Sequence, residues 1–417
     1  MNEQLVVKNF GPIKDATVDF KRVTVFIGPT GGGKSTLAKL AAILRKGMVD
    51  KNDVSIEKPS LRQYSLHNHF HNSSLIQWSD NEGEVIINGQ QLIRNDKSAA
   101  LLERYNKQVK GPDAYTKAIE ALKAYEEIEK KVKSDDSTDA INSLRISLSK
   151  LAGNFLKEFH AATAQLTPVY IPAERSFIAG LEYSWAGLMR DNIGLPKLLL
   201  DFANSFSLSR KEVVELNIDF LNVKYQHING RDFIKIPERE ELLMLLETAS
   251  GIQSVTPLLV LLEHLSRNTE QAQSFIIEEP ELNLFPIAQF ELVKTLVEKC
   301  AQLDGKNDLV LTTHSPYVLT ALNLMCYAFR IAQQDEATAK KVAKLIPRHC
   351  WIDSEQFAAY YVDRPDTKRK QQVRSIINKK TGLIEENELD TASDELSSIF
   401  NKLVKLRKPS QTVVRAK

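Results

Sequence analysis

Alternating apolar and polar positions open the chain. Leu5-Val6-Val7-Lys8-Asn9-Phe10 and Lys14-Asp15-Ala16-Thr17-Val18-Asp19-Phe20 predict two short strands around a Gly11-Pro12 turn. The apolar run over residues 22–27 predicts a buried strand, and residues 36–44 predict a helix. No strong period follows until residues 83–93, where Asn88-Gly89 between apolar runs predicts a hairpin and hence an antiparallel β section. Residues 97–165 become rich in Ala, Leu, Lys and Glu. Tyr115, Ile119, Leu122, Tyr125, Ile128 and Val132, then Ile141, Leu144, Leu148, Leu151 and Phe155, fall mostly at three- and four-residue steps. Broken by Ser134-Asp135-Asp136-Ser137, they predict a helical hairpin with arms about 30 Å long. Residues 168–172 then read as a return strand, 180–222 as mainly helical, and 223–236 as a second hairpin turning at Asn229-Gly230. A helix at 253–265, a strand at 274–277, a helix at 287–300 and a strand at 308–312 complete an α/β pattern, with a terminal helix expected at 392–406.

Between the first buried strand and its helix stands Gly28-Pro29-Thr30-Gly31-Gly32-Gly33-Lys34-Ser35, which fits GxxxxGK[ST] in the strand–loop–helix setting that the motif requires. Glycines let successive N–H groups converge on one anion, and the helix starting at Lys34 adds the positive end of its dipole. Residues Gly28 to Thr36 are therefore expected to cradle the phosphates of ATP, with Lys34 reaching the β- and γ-phosphates and the Ser35 hydroxyl holding Mg²⁺.

Three later stretches narrow the chemistry. In Ser274-Phe275-Ile276-Ile277-Glu278-Glu279-Pro280-Glu281, paired acids follow a buried strand, at its carboxyl end beside the phosphate loop. Glu278 is expected to bind Mg²⁺ through water, and Glu279 to polarise the attacking water as general base. Ser250-Gly251, before an apolar helix in Glu247-Thr248-Ala249-Ser250-Gly251-Ile252-Gln253-Ser254, forms a second helix start ready for an anion. Leu309-Val310-Leu311-Thr312-Thr313-His314-Ser315-Pro316 delivers His314 at a strand end, where it can sense a γ-phosphate.

Bulk properties bound the rest. The 417 residues suffice for two or three lobes. A net charge of +2 does not announce a nucleic-acid binder. Cys300, Cys326 and Cys350 lack CxxC spacing and fit reduced residues of a cytoplasmic protein. Neither a signal peptide nor a membrane span is expected. His67-Asn68-His69-Phe70-His71 alternates as a strand would, placing three imidazoles on one side; zinc is conceivable, but with no cysteine or carboxylate to complete the set an exposed polar strand or loop is expected. Arg364, Lys368, Arg369, Lys370, Arg374, Lys379 and Lys380 form a basic stretch, either a solvated surface or a contact for DNA phosphates or an acidic partner.

The order of phosphate loop, Ser-Gly-x-Gln, strand with paired acids and strand with His resembles ABC-type ATPases. It is closer to the SMC/RecF/OLD branch than to transporters, on Leu5–Phe20, Tyr170-Ile171-Pro172-Ala173-Glu174-Arg175-Ser176, the Ile277–Pro286 stretch and Thr312-Thr313-His314-Ser315-Pro316. The fold so implied is an ABC-type P-loop ATPase with a mixed sheet, an antiparallel β section and the helical hairpin as an insertion. Its parts run from 1–96 (core with the phosphate loop) and 97–165 (insertion) through 166–324 (rest of the core) to 325–417 (C-terminal lobe).

The resemblance implies a homodimer that sandwiches two ATP molecules, with further assembly open. Ser250, Gly251 and Gln253 of one copy would face Lys34, Ser35, Glu278, Glu279 and His314 of the other. Many relatives with this layout serve in bacterial anti-phage defence, alone or beside a separate effector such as a nuclease; a RecF-like repair ATPase on DNA, or a nucleotide-gated scaffold that barely hydrolyses, are the competing readings. The sequence departs from the family in three respects: Glu278 replaces the usual Asp, Glu174 and Arg175 stand where a glutamine loop is expected, and no DxD pair for a Toprim nuclease follows His314.

Overall fold

The computed structural model describes residues 3–45, 59–80, 83–89, 91–96, 167–181, 194–267, 272–303, 305–366 and 371–384. The expected helical hairpin at 97–165 and terminal helix at 392–406 lie outside the described residues.

A six-stranded mixed sheet forms the centre. Its strands are β3 (Val23–Ile27), β7 (Thr167–Ile171), β12 (Gln273–Glu278), β13 (Asp308–Thr313), β14 (Phe357–Val362) and β15 (Val373–Ser375), ordered β15-β14-β3-β13-β12-β7. All neighbours pair in parallel except β14 and β15. Every residue of β3, β12, β13 and β14 is buried, as befits parallel strands covered on both faces. The period-2 alternation then sorts side chains between two cores. Val23, Val25, Ile27, Phe275, Ile277, Leu309 and Leu311 join one, while Phe26, Ile276, Val310, Tyr360 and Val362 join the other.

Helix α1 (Lys34–Arg45) lies on the second face, under an antiparallel sheet of β1 (Glu3–Phe10), β2 (Ile13–Phe20), β4 (Leu75–Ser79), β5 (Gly83–Asn88) and β6 (Gln91–Asp96), ordered β2-β1-β4-β5-β6. At the end of α1 the buried Arg45 bonds Glu3 at 2.5 Å and Asp308 at 2.8 Å and stacks over Phe20 at 4.8 Å, joining the two sheets. Short helix α2 (Pro59–Gln63) follows α1 in the chain.

The first face carries α3 (Lys197–Glu212), α4 (Ser250–Ser266), α5 (Pro286–Cys300) and α6 (Pro316–Ala332). Helix α7 (Glu336–Ala343) packs on α6. A separate antiparallel sheet, β11-β10-β9-β8, comprises β8 (Glu215–Ile218), β9 (Val223–Ile228), β10 (Arg231–Lys235) and β11 (Leu242–Met244), and leads into α4.

Both predicted hairpins form; the second turns at Asn229-Gly230, while in the first Asn88 pairs with Gln91, so the turn begins one residue later, at Gly89. Three expectations change. Residues 215–218, expected helical, are strand β8, because Leu216 and Ile218 pair across to Tyr225 and Val223. The boundary at 324/325 falls inside α6, and β14 beyond it pairs with β3, so residues 357–362 belong to the central sheet and not to a separate lobe. The histidine run is a tight helical turn over His67–His69, not a strand. The His69 ring packs edge-on to Phe10, while His67 and His71 are exposed, and the charges of Lys39, His67 and His71 add to burial in holding the His69 pKa down.

Candidate nucleotide site

Register brings the site together. Ile27 of β3 pairs with Thr313 of β13, and Thr312 pairs with Glu278 of β12. The phosphate loop, His314 and Glu279 thus leave three adjacent parallel strands at the same edge, where such sheets bind ligands.

Glycine is required in the loop. Gly28, Gly31 and Gly33 have φ of 145°, 81° and 105°, and a Cβ on Gly28 or Gly32 would run into the backbone of Val362. Gly31 has open space around it, and Thr30 and Gly31 are exposed, whereas Lys34 and Thr36 are buried and Ser35 is half-buried. The buried Gln372 braces the loop from behind. Its Nε2 donates to the Gly32 carbonyl at 3.1 Å and to Pro12 at 2.7 Å, and its Oε1 accepts from the Lys14 N–H at 2.7 Å.

Lys34 Nζ donates to the Gly28 and Pro29 carbonyls at 2.8 and 3.1 Å and lies 3.0 Å from His314 Nε2. Burial pulls its pKa down to about 8, against the attraction of Glu279, Glu281 and Glu278. The same His314 Nε2 is 3.3 Å from Glu279 Oε1. That contact, helped by Lys34, keeps the Glu279 carboxyl below its ordinary range despite partial burial. Glu279 itself is left-handed, at φ 40°, with its N–H on the Thr312 carbonyl at 2.8 Å.

Glu278 is 5% exposed, and its Oε1 has no hydrogen-bond partner among the described residues; the same holds for the buried Thr312 hydroxyl. Burial, then the charge of Glu278 and the phenol's approach to that carboxylate, pushes Tyr170 well above its ordinary value. A buried carboxylate with an oxygen still lacking a well-formed hydrogen bond suits a hard divalent cation.

Sequence reasoning missed Glu281. Its Oε1 accepts from Thr313 Oγ1 at 2.5 Å and from the His314 N–H at 3.0 Å, fixing the histidine's backbone. The third acid of the Glu-Glu-Pro-Glu stretch was the available signal.

Ser250 and Gly251 do not join this cluster. They begin α4 on the face of the sheet opposite α1, with Ser250 exposed and Gly251 close to the Asn283 carbonyl. Gln253 points back, its Nε2 donating to the Leu246 and Thr248 carbonyls at 2.8 and 2.7 Å, which steadies the turn that presents Ser250. Of the basic stretch, Arg364, Lys379 and Lys380 are exposed, Arg374 lies over the Tyr361 ring at 4.7 Å, and Lys368, Arg369 and Lys370 lie outside the described residues.

A family model described as AAA ATPase domain matches residues 55–319, which include the acid pair, Ser250 and His314 but begin beyond the phosphate loop. No curated protein matches the chain. Among solved structures the chain is similar to the Smc head domain with an extended coiled coil, bound to the C-terminal domain of ScpA, from Pyrococcus furiosus. Identity there is 10%, over 95% of this chain and 98% of that one, with a TM-score of 0.37. It is also similar to an SMC head domain from Thermotoga maritima (13% identity, 77% and 92% covered, TM-score 0.33). A third similar structure is the recombination mediator protein RecF-ATPrS (11% identity, 76% and 92% covered, TM-score 0.32).

Proposed function

From a chain that belongs to the AAA ATPase domain family, and from the convergence of Lys34, His314 and Glu279 within 3.0 and 3.3 Å, we propose a Mg²⁺-dependent ATP hydrolase of the ABC type. That convergence carries the reading. The loop N–H groups and Lys34 hold the β- and γ-phosphates. Ser35 and Glu278 would hold Mg²⁺, which supplies charge to the phosphate oxygens. Glu279, kept ionised, accepts a proton from the attacking water, and His314 stands between that carboxylate and the Lys34 ammonium, where the γ-phosphate arrives.

We infer that it works as an ATP-gated dimer; in support, α1 and α4 pack on opposite faces of the central sheet and Ser250 is exposed, free to serve a nucleotide on a second copy. Phe285, Ile287 and Tyr317, exposed beside the acid loop and His314, offer that copy an apolar surface. The biological role we assign is a sensor subunit controlling a separate effector in anti-phage defence. The near-neutral charge supports it over a DNA-bound repair ATPase, and turnover measured with and without duplex DNA separates the two. No described helix is long and apolar enough to cross a membrane.

Glu279→Gln tests the chemistry. Turnover should drop by at least about 100-fold, and an ATP-loaded dimer should accumulate on size exclusion. Normal turnover would remove Glu279 as the base.

A further inference from the structure

Arg175 has no part in the site as described, yet it is fully buried beside it. A buried guanidinium is tolerated when its donors find acceptors, and here all five do. Nε donates to the Ser254 carbonyl at 3.1 Å; Nη1 to Pro172 at 3.2 Å and Glu278 at 2.8 Å; Nη2 to Glu279 at 2.8 Å and Pro280 at 2.9 Å. Every acceptor is a main-chain carbonyl. Three are consecutive and belong to the acid loop, and one lies a turn inside α4, beyond Ser250.

Turning three successive carbonyls toward one cation curls the chain. The curl contains Glu279 at φ 40°, a conformation that a residue with a Cβ keeps only where its surroundings hold it. The nearby main-chain bonds of the loop, Glu279 N–H to Thr312 and Leu282 N–H to Glu279, fix its two ends but do not reach α4. Arg175 does.

We propose, resting on the ATPase reading above, that Arg175 is the positioning residue for Glu279. It sets the left-handed turn that aims the carboxylate at His314, and it locks that turn to α4, so that engagement of the α4 N-terminus places the base. The planar fork matters, because a lysine ammonium has three donors and no fixed spread with which to hold five carbonyls.

Arg175→Lys and Glu279→Gln, measured side by side, test this. Arg175→Lys should keep ATP affinity within about threefold while kcat falls about 100-fold, the scale of a displaced base. A kcat within about threefold of the parent, or equal losses in kcat and ATP affinity, would overturn the proposal. Full turnover in Glu279→Gln would instead sink the base assignment, whatever Arg175→Lys does. If Arg175→Lys does not fold, hydrogen exchange on Glu279→Gln protein reads the same link. ATP should slow the amide at the substituted position, that of Leu282 and those of residues 254–256 and 258 by a common factor of about ten or more. Unequal responses of the two segments would refute the coupling.

Discussion

Two buried cations face the same three carboxylates, and their surroundings give them opposite characters. Lys34 and Arg175 both feel Glu278, Glu279 and Glu281. Burial lowers both, Lys34 to about 8 and Arg175 to about 10. Lys34 rests on two loop carbonyls and an imidazole, partners that a phosphate can replace. Arg175 is saturated by five carbonyls from three segments and has no donor left to exchange. Equal charge in one field therefore supports a mobile ligand in one case and a fixed joint in the other. What separates them is how many donors are already matched.

The contrast can be broken most severely by truncation. Arg175→Ala should lower the free energy of unfolding in urea by about 3–5 kcal/mol, because buried carbonyls lose their cation. Lys34→Ala should leave stability within about 1 kcal/mol, since its burial is itself unfavourable. Next in size is nucleotide affinity: Lys34→Ala should weaken ATP binding about 100-fold by fluorescence titration, the loss of charge-assisted bonds to phosphate. The subtlest effect is on pH. Phosphate stabilises the ammonium, so the bound pKa exceeds the free value of about 8, and binding takes up a proton at higher pH. ATP affinity should be flat below about pH 8 and fall by up to about tenfold per unit above it. Lys34→Arg should flatten that profile, and an unchanged slope would show that another group titrates.

Motifs that act through adjacent residues were readable from the chain. Gly28–Ser35, Glu278-Glu279 and His314 each follow an apolar run, and the runs became β3, β12 and β13 in register. Strands such as Leu75–Ser79 and Phe357–Val362 escaped notice, the second because two alanines and full burial erase its alternation. Arg175 escaped for a deeper reason. Its acceptors include residues 79 to 105 positions away, and a side chain bonded to backbone carbonyls leaves no mark on the identity of its partners. The histidine run misled because its alternation coincided with a local turn, where spacing alone does not define a face.

The phosphate loop also has a history in the making of the chain. Gly28 and Gly32 lie against Val362, and the Gly32 carbonyl is held by Gln372, so this supporting wall is translated more than 300 residues after Lys34. At ordinary synthesis rates that interval is on the order of tens of seconds. The first functional motif to leave the ribosome is among the last to acquire its finished shape.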